Sequence, residues 1–465
     1  MTSLAVFGAS SAACAYATSS GQLIAARAVL GLGAAAIMPL ALAIIPVLFK
    51  PEERQKATAV MASTIFLSFP VGPLVGGALL DSFWWGAVFL INVPVVVFAL
   101  IAVAFLMPES RSSDRPRVDW AGVLISSAGL IALTYGVIKA GQDGWTDATA
   151  LATIAAGAVA LAGLIGWEHR LTRSGENRAG DTPSGVRPLI ELPLFRSAGF
   201  AWGTILATMV SFAMFGILFA MPQYFQDVRG TDALGSGLRT LPLIGGMLVG
   251  MIGGTRLQSP RKGAAGQTGE PRATARSMVT IGFAVMAVAL AMGAFTRITS
   301  GTGFTAIWFV LAGLGLGLAM PAAMNAALGA LSAERSGAGS ALITAMRQVG
   351  ATIGVAVLGT ILNTVYQSHL TGSGLPAAVT SAAKDGVAAG VAVAHAAQSA
   401  TVLAAVRTSF VHGLDVMLWV CAGIALASAI LAVIFLPRRA RRDTEVTTVL
   451  PVDDEKAVQR AELGL

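Results

Sequence analysis

The stretch GLGAAAIMP at residues 31–39 returns as GLGLGLAMP at residues 313–321, with identical residues at five of the nine positions. A Glu–Arg pair follows each copy at nearly the same offset, at residues 53–54 and again at residues 334–335. One half of the chain therefore repeats the other. Internal repeats in an apolar chain are typical of transporters, in which two packed halves move about a site between them.

The composition of the chain excludes an ordinary soluble domain. Of its 465 residues, 55% are hydrophobic and 12% are charged, and the mean hydropathy is +0.74. These values predict an all-α membrane protein. A helix needs about 20 apolar residues to cross a hydrocarbon core of about 30 Å. Twelve such runs are predicted, at residues 4–20, 22–48, 55–80, 84–107, 119–140, 147–167, 198–224, 235–257, 277–296, 303–330, 336–366 and 409–436.

Basic residues indicate the orientation, because Lys and Arg accumulate on the cytoplasmic side of membrane proteins. Twelve spans put both termini on one side, which then carries 23 of the 31 basic residues. The others are Lys139, Arg229, Arg297, Lys384 and Arg407 on the opposite side, and Arg27, Arg239 and Arg347 within apolar runs. This pattern predicts a multi-pass protein of a bacterial plasma membrane with both termini in the cytoplasm. It also explains the net charge of +7 without nucleic acid as a partner.

The number of predicted runs between the two copies of the repeat indicates how the spans are arranged. Its copies lie in the second and tenth predicted runs, whereas two simple six-helix halves would place equivalent helices six runs apart. Two inserted helices are therefore expected in the middle of the chain, and two helices are expected to be missing from the N-terminal half. The alternative is a complete protein with unequal halves. The predicted parts are an N-terminal half at 1–108, the inserted helices with cytoplasmic segments at 109–197, a C-terminal half at 198–436 and a cytoplasmic tail at 437–465.

Several motifs suggest a family. LIAARAVLGLGAAAIMP at 23–39 resembles the fourth-helix motif of the major facilitator superfamily, and FPVGPLVGG at 69–77 resembles its antiporter motif. Further similar segments are WWGAVFLINVP at 84–94, DWAG at 119–122, PLIELPLF at 188–195, PQYFQ at 222–226 and MRQVGATIGVAVLG at 346–359. In this order they resemble the fourteen-helix drug:proton antiporters of that superfamily. The resemblance implies the major facilitator fold with twelve of fourteen helices. Ser68 replaces a usual glycine, and the family's acidic residue of the first helix maps onto no residue here.

The resemblance also implies gating and coupling residues: Arg27, Gly31, Gly72, Pro73, Gly76, Gly77, Arg347 and Gln348. An arginine in a span is costly unless it is paired or hydrated, which favours an interior position for Arg27; alternatively, Arg27 snorkels to the interface. A proline beside small residues lets a helix bend and approach its neighbour, which suits a gate, although tight packing without movement uses the same physics.

The sequence signal for the substrate and proton sites is weaker than the signal for the gating residues. Aromatic residues at 212, 215 and 219 fall on one helical face, and adaptable apolar side chains suit lipophilic cations. The candidate cavity is Met209, Phe212, Phe215, Phe219, Gln223 and Asn325, with lipid-facing or packing roles as the alternative.

Asp415 and Asp81 are possible proton sites because desolvation favours a neutral carboxyl group. His169, His369 and His395 are expected in loops without metal-ligand spacing, and residues 258–276 are expected to form a loop.

These features predict a secondary transporter that exports drugs or other hydrophobic or cationic small molecules in exchange for protons by alternating access. The alternatives are an exporter of one specific metabolite or antibiotic and, in another class, an N-terminally truncated membrane protein that does not transport. We expect no enzymatic activity, no cofactor and no metal. The expected partners are a small-molecule substrate, protons and the lipid bilayer, and the protein is expected to be a monomer.

Overall fold

The fold is taken from a computed structural model. The structure describes residues 1–49, 51–106, 119–176, 192–258, 260–262, 268–271, 273–331 and 336–437. The basic segment at 109–118, the Glu–Arg pair at 334–335 and nearly all of the predicted tail at 437–465 lie outside these residues. The helices of the N-terminal and inserted parts are α1 (Thr2–Ala15), α2 (Ser20–Leu48), α3 (Pro51–Ser82), α4 (Ala87–Leu90), α5 (Asn92–Leu106), α6 (Trp120–Asp143) and α7 (Ala148–Glu176).

The C-terminal part begins with a short 3-10 turn at Leu192–Arg196, and a π-helical turn at Tyr224–Val228 directly continues its first long helix. Its helices are α8 (Ala198–Gln223), α9 (Ala233–Gln258), α10 (Ala275–Gly293), α11 (Thr302–Leu328), α12 (Ser336–Thr371), α13 (Ala377–Ala383), α14 (Val387–Ala396) and α15 (Ala400–Phe435). Two short antiparallel strands, β1 (Pro260–Lys262) and β2 (Thr268–Pro271), lie between α9 and α10.

Each of the twelve predicted apolar runs coincides with helical structure, which confirms the all-α membrane architecture. Within the described residues, ten helical segments are long and apolar enough to cross a membrane. α1 has 14 residues, which is fewer than the roughly 17 that a span requires. The count of twelve spans therefore stays a prediction.

Several boundaries and loops differ from the predictions. The run at 84–107 is divided into α4 and α5 at Ile91, and α15 begins nine residues before the predicted run at 409. The prediction of a loop at 258–276 was wrong in part, because β1 and β2 form a small hairpin there. α13 and α14 had no predicted counterpart. Their 7 and 10 residues are too few for a hydropathy window to detect.

The glycines of the repeated stretch bring helices close together. A Cβ atom on Gly33 would lie 2.8 Å from the backbone nitrogen of Phe7 in α1, and one on Gly315 would lie 2.6 Å from the Gly282 carbonyl oxygen in α10. In both copies the same glycine therefore packs against the preceding helix in the chain. Gly313 also touches the backbone of α9, whereas a Cβ on Gly31 would meet nothing within 4 Å.

The two helices that are predicted to be inserted, α6 and α7, pack against each other, and α6 docks on α12. Asp119 caps α6 by accepting a hydrogen bond from the Gly122 N–H, and it also accepts one from the Trp167 indole of α7. At the other end of α6, the Thr360 hydroxyl of α12 donates to the Val137 carbonyl over 3.1 Å. The inserted pair is thus joined to the C-terminal half by buried polar contacts as well as by packing.

Candidate functional site

Two helices from different halves, α3 and α9, meet backbone to backbone. A Cβ atom on Gly77 would lie 2.7 Å from the Ala233 carbonyl oxygen and from the Leu234 Cα, and one on Gly237 would lie 2.7 Å from the Pro73 carbonyl oxygen. Such distances are shorter than any side chain tolerates, so glycine is required at both positions for this approach. The proline break and the small residue predicted for a gate therefore lie at a contact between the halves.

A carboxylate strengthens the same contact. The two oxygens of Asp81, at the end of α3, accept hydrogen bonds from the first two N–H groups of α9, those of Ala233 and Leu234. These N–H groups have no partner within their own helix, and a negative charge is favoured at a helix N-terminus. Asp81, predicted as a possible proton site, thus caps α9, a helix of the other half of the protein.

The contact lies at the outer end of both helices if the predicted orientation holds. α3 begins beside the basic residues of segment 50–56, and α9 ends beside Arg256, so their basic ends lie on the predicted cytoplasmic side. Gly77 and Ala233 are at the opposite ends. The arrangement therefore closes the interface between the halves on the side away from the basic residues.

The other predicted gating residues of the N-terminal half are not held in this contact. A Cβ atom on Gly72, on Gly76 or on Gly31 would meet nothing within 4 Å. Arg27 is exposed, and its guanidinium lies 5.6 Å from the centre of the Phe89 ring. This cation–π distance is in the attractive range and links α2 to α4.

A cationic centre lies in the C-terminal half. Arg347 of α12 donates from Nε to the Ser211 hydroxyl of α8 over 3.3 Å, and its Nη1 lies 4.0 Å from the sulfur of Met324 in α11. Arg347 therefore bridges three helices. Its neighbour Gln348 is exposed. The sequence did not predict a role for Ser211. A single serine in an apolar run gives no indication that its hydroxyl will bind an arginine of another helix.

Near this centre, Asn325 follows Met324 on α11. It is exposed and its amide lies 3.4 Å from the side-chain oxygen of Gln258, at the end of α9. The contact joins the predicted cytoplasmic ends of α9 and α11. The predicted role of Asn325 in the substrate cavity stays a prediction.

The aromatic face predicted on α8 is divided by burial. Phe212 is 8% exposed and packs in the core, whereas Phe215 and Phe219 are 36% and 42% exposed. Met209 is half-buried, and the Gln223 amide donates to the Phe219 carbonyl of its own helix. The structure therefore leaves two of the three rings available to an apolar solute or to lipid, and the substrate role stays a prediction.

Asp415 on α15 differs from Asp81. It is half-buried, and its Oδ1 atom is inaccessible and has no hydrogen-bond partner within the described part of the chain. One turn earlier, the His412 ring lies 4.8 Å from that of His369, whose Nδ1 is 3.0 Å from the Ser409 hydroxyl. This cluster lies near the end of the C-terminal half that is predicted to face outward.

The predicted loop positions of three histidines were wrong. His169 lies in α7, His369 lies in the last turns of α12 and His395 lies in the last turn of α14. α7 and α12 extend further than their predicted apolar runs, and α14 had no predicted run. In the described residues, no group of three or more His, Cys, Asp or Glu side chains is arranged to hold a metal ion.

These features define a multi-pass helical membrane protein whose two halves meet through glycine contacts at one end. The family profile described as "Major Facilitator Superfamily" matches residues 1–355. The chain belongs to the major facilitator superfamily. Its fold is also similar to that of a crystal structure of a bacterial homolog to the human lysosomal transporter Spinster. The TM-score is 0.61 and the identity 16%, over 93% of this chain and 82% of that one.

Two of the relatives that the chain matches are named for export or efflux. The "Tetracenomycin C resistance and export protein" of Streptomyces glaucescens is 32% identical over 68% of this chain and 54% of its own length. The "Multidrug efflux pump LfrA" of Mycolicibacterium smegmatis is 33% identical over 56% of this chain and 49% of its own. The chain thus spans about half the length of the curated relatives that it matches.

Proposed function

We propose that this protein is a secondary transporter that exports drugs or other hydrophobic or cationic small molecules in exchange for protons by alternating access. The observation that carries the proposal is the contact of α3 with α9, in which Gly77, Gly237 and Asp81 join the halves at one end. A contact of this kind can be made and broken as a unit, because it rests on two short backbone approaches and one capping carboxylate. The superfamily and the printed names of the relatives support export of small molecules.

In this proposal, the α3–α9 contact closes the outer gate, and its opening exposes the space between the halves to the outside. Gly72, Pro73 and Gly76 let α3 bend as the gate opens. Arg347 transmits the presence of substrate or of a proton to α8 and α11 through Ser211 and Met324. Arg27, Gly31 and Gln348 complete the proposed coupling set.

Asp415 is the proposed proton site because its carboxylate oxygen is buried without a hydrogen-bond donor among the described residues. The exposed rings of Phe215 and Phe219, together with Met209, Gln223 and Asn325, form the proposed walls for an apolar substrate. For an uncharged substrate, the membrane potential alone suffices for export. One charge crossing 100 mV releases about 2.3 kcal/mol, and a tenfold gradient requires about 1.4 kcal/mol.

The test is proton-dependent uptake of a lipophilic cationic dye into inverted vesicles that contain the full chain. Dye accumulation should appear when a proton gradient is imposed and should collapse with a protonophore. Vesicles containing the Arg347→Gln variant serve as the matched control and should show little gradient-dependent accumulation. Transport that is unchanged by the protonophore would contradict proton exchange, and no transport in either condition would contradict the proposal as a whole.

A narrower function is the second candidate, favoured by the relative named for resistance to a single compound, tetracenomycin C. In that case the protein exports one metabolite or antibiotic. Resistance profiles separate the two, because a multidrug exporter protects against several structurally unrelated lipophilic cations and a dedicated exporter protects against one.

A further inference from the structure

A cavity of about 280 Å³ lies at the outer end of the C-terminal half. Its walls come from the π-helical turn, from the first turns of α9 and from the first turn of α11. It is bordered by the basic side chains of Arg229 and Arg239 and by the polar groups of Ser300, Thr302 and Thr305. The rest of the lining is largely apolar and includes Phe225, Leu238 and Pro242. The proposed transport cycle uses none of these residues.

Arg239 carries an uncompensated charge in this cavity. Its Nη1 atom is inaccessible and has no hydrogen-bond partner within the described chain, and its guanidinium lies 5.9 Å from the centre of the Phe225 ring. A buried N–H of a charged group without an acceptor is strongly unfavourable. A ring face offsets only part of that cost. An anion at the cavity would supply the missing acceptor and charge.

Arg229 adds a second guanidinium. One of its Nη atoms donates to the Ile298 carbonyl, which holds the side chain at the cavity. Neither Arg229 nor Arg239 forms an ion pair with a carboxylate of the described residues. Within the described chain, Asp415 forms no ion pair with either arginine. Asp232 is already used, because its carboxylate caps α9 at the Gly235 N–H.

The start of α11 contributes further donors. Its N-cap residue is Gly301, which has no side chain to accept a hydrogen bond from the first-turn N–H groups. Thr302 and Gly303, the first residues of that turn, border the cavity. Free N–H groups and the positive end of the helix dipole favour an anion at such a position. The helix terminus therefore reinforces the two arginines at the same cavity.

We infer that this cavity binds a phosphate group. Two guanidinium groups and backbone N–H donors match the several oxygen acceptors of phosphate, and arginine binds such oxygens in a bidentate manner. The apolar walls favour a phosphate that carries hydrocarbon. Exposed apolar side chains continue from the cavity along α9 and α11, namely Leu238, Val249, Ile307 and Val310. The geometry thus fits the headgroup phosphate of an anionic phospholipid whose acyl chain follows this seam.

The binding test uses the purified full chain in detergent and measures thermal unfolding during titration with a short-chain phosphatidylglycerol, with phosphatidylcholine or with inorganic phosphate. Phosphatidylglycerol should raise the unfolding temperature, and the Arg229→Gln/Arg239→Gln variant should bind it roughly tenfold more weakly or worse. Lys139→Gln is the matched control. It removes an outer basic residue that pairs with Asp143 on α6, so it should bind like the unsubstituted protein.

A second variant tests whether the positive charge of the cavity causes anion binding, and it leaves both arginines in place. A Cβ atom on Gly303 would meet nothing within 4 Å, so Gly303→Asp places a carboxylate at the cavity without a clash. It should raise the unfolding temperature in phosphatidylcholine and abolish the response to phosphatidylglycerol, whereas Gly303→Ser should keep that response. This variant remains informative if the double arginine variant fails to fold.

Titration with phosphatidylglycerol and titration with inorganic phosphate together identify the source of the phosphate group. A response to phosphatidylglycerol that inorganic phosphate does not reproduce supports a lipid headgroup, and a response to inorganic phosphate alone supports a free anion at the same site. Equal responses of the unsubstituted protein, of the double arginine variant and of Gly303→Asp would overturn the inference, as would no response to either probe. None of these measurements depends on transport.

Discussion

The Oδ2 atom of Asp81 accepts a hydrogen bond from the backbone N–H of Leu234 over 2.9 Å, although 153 residues separate the two in the chain. This bond, with its companion to Ala233, fixes the end of α3 to the start of α9. A side chain of one half thereby does what an N-cap residue does within a helix. Because a carboxylate is released more easily than a packed core, this contact suits a gate that opens and closes.

Asp81→Ala should loosen the outer contact. Removing an N-cap acceptor costs about 1–2 kcal/mol, which would shift the balance between closed and open outer ends by roughly 5–30-fold. The measurement is the distance between spin labels at positions 82 and 299, on the outer ends of the two halves. Both native cysteines are buried, which limits background labelling. A longer-distance population should appear.

Asp232→Ala is the control for Asp81→Ala. Asp232 caps the same helix from within its own half, by accepting from the Gly235 N–H over 2.8 Å. Its loss weakens the start of α9 but leaves the carboxylate of α3 in place. If both variants lengthen the label distance equally, the effect is fraying of α9, and Asp81 has no special part in closing the halves.

Gly77→Ala should disrupt the same contact sterically. The added methyl group would lie 2.7 Å from backbone atoms of α9, and backbone cannot move aside as a flexible side chain can. Overpacking of this kind costs typically 1–3 kcal/mol. We expect dye efflux to fall by about tenfold and the label distance to increase.

Gly76→Ala provides the matched control, because its methyl group would meet nothing within 4 Å on the adjacent residue of the same helix. At equal expression, efflux should fall less than in Gly77→Ala, because the added methyl group makes α3 less able to bend but does not meet α9. Loss of efflux in Gly76→Ala with retention in Gly77→Ala would show that bending of α3, and not its contact with α9, governs transport.

The sequence predicted the helices well because hydropathy over some 20 residues depends on composition and not on partners. It also predicted that a neighbouring helix can approach closely near Gly77, since a proline beside small residues has a recognisable spacing; the gate itself stays a prediction. It could not distinguish Gly77 from Gly76 and Gly72. Which glycine faces α9 depends on how the two halves are placed, and that register is set by contacts far apart in the chain.

The functions of the acidic residues show the same limit. Asp81 and Asp415 were both predicted as possible proton sites from their position near apolar runs. In the structure Asp81 caps α9, whereas Asp415 keeps a buried oxygen without a described partner. A carboxylate in a sequence carries no sign of whether a helix N-terminus lies beside it. Short helices such as α13 were missed for a related reason, since their stability comes from packing.

Arg347 gives the next prediction, because its guanidinium is held by Ser211 and Met324 from two other helices. Arg347→Lys keeps the charge but cannot place donors at both partners at once. We expect the maximal efflux rate to fall by about tenfold or more with a smaller change in the substrate concentration at half-maximal rate. The reason is that coupling between helices is lost while the substrate walls remain.

Ser211→Ala tests the partner of Arg347. Loss of a hydrogen bond to a charged group costs about 1.5–3 kcal/mol, so this variant should reproduce part of the Arg347→Lys defect. The double variant should be no worse than Arg347→Lys alone, because the two residues act as a pair. Additive losses would show that Ser211 and Arg347 act independently.

The inserted helices give the last prediction. Thr360 on α12 donates a buried hydrogen bond to the Val137 carbonyl of α6, and its side chain also packs against Gly141. Thr360→Val keeps the shape but removes this hydrogen bond between the helices, at a cost of about 0.5–1.5 kcal/mol. Gly141→Val acts more strongly, because no side chain fits between the helices. Both should lower the unfolding temperature of the purified protein in detergent, Gly141→Val more than Thr360→Val.

Thr352→Val is the control on the same helix, since its hydroxyl is exposed and bonds only to the Gln348 carbonyl one turn earlier among the described residues. If the three variants unfold at the same temperature, then α6 is held against α12 by the surrounding lipid and not by these contacts.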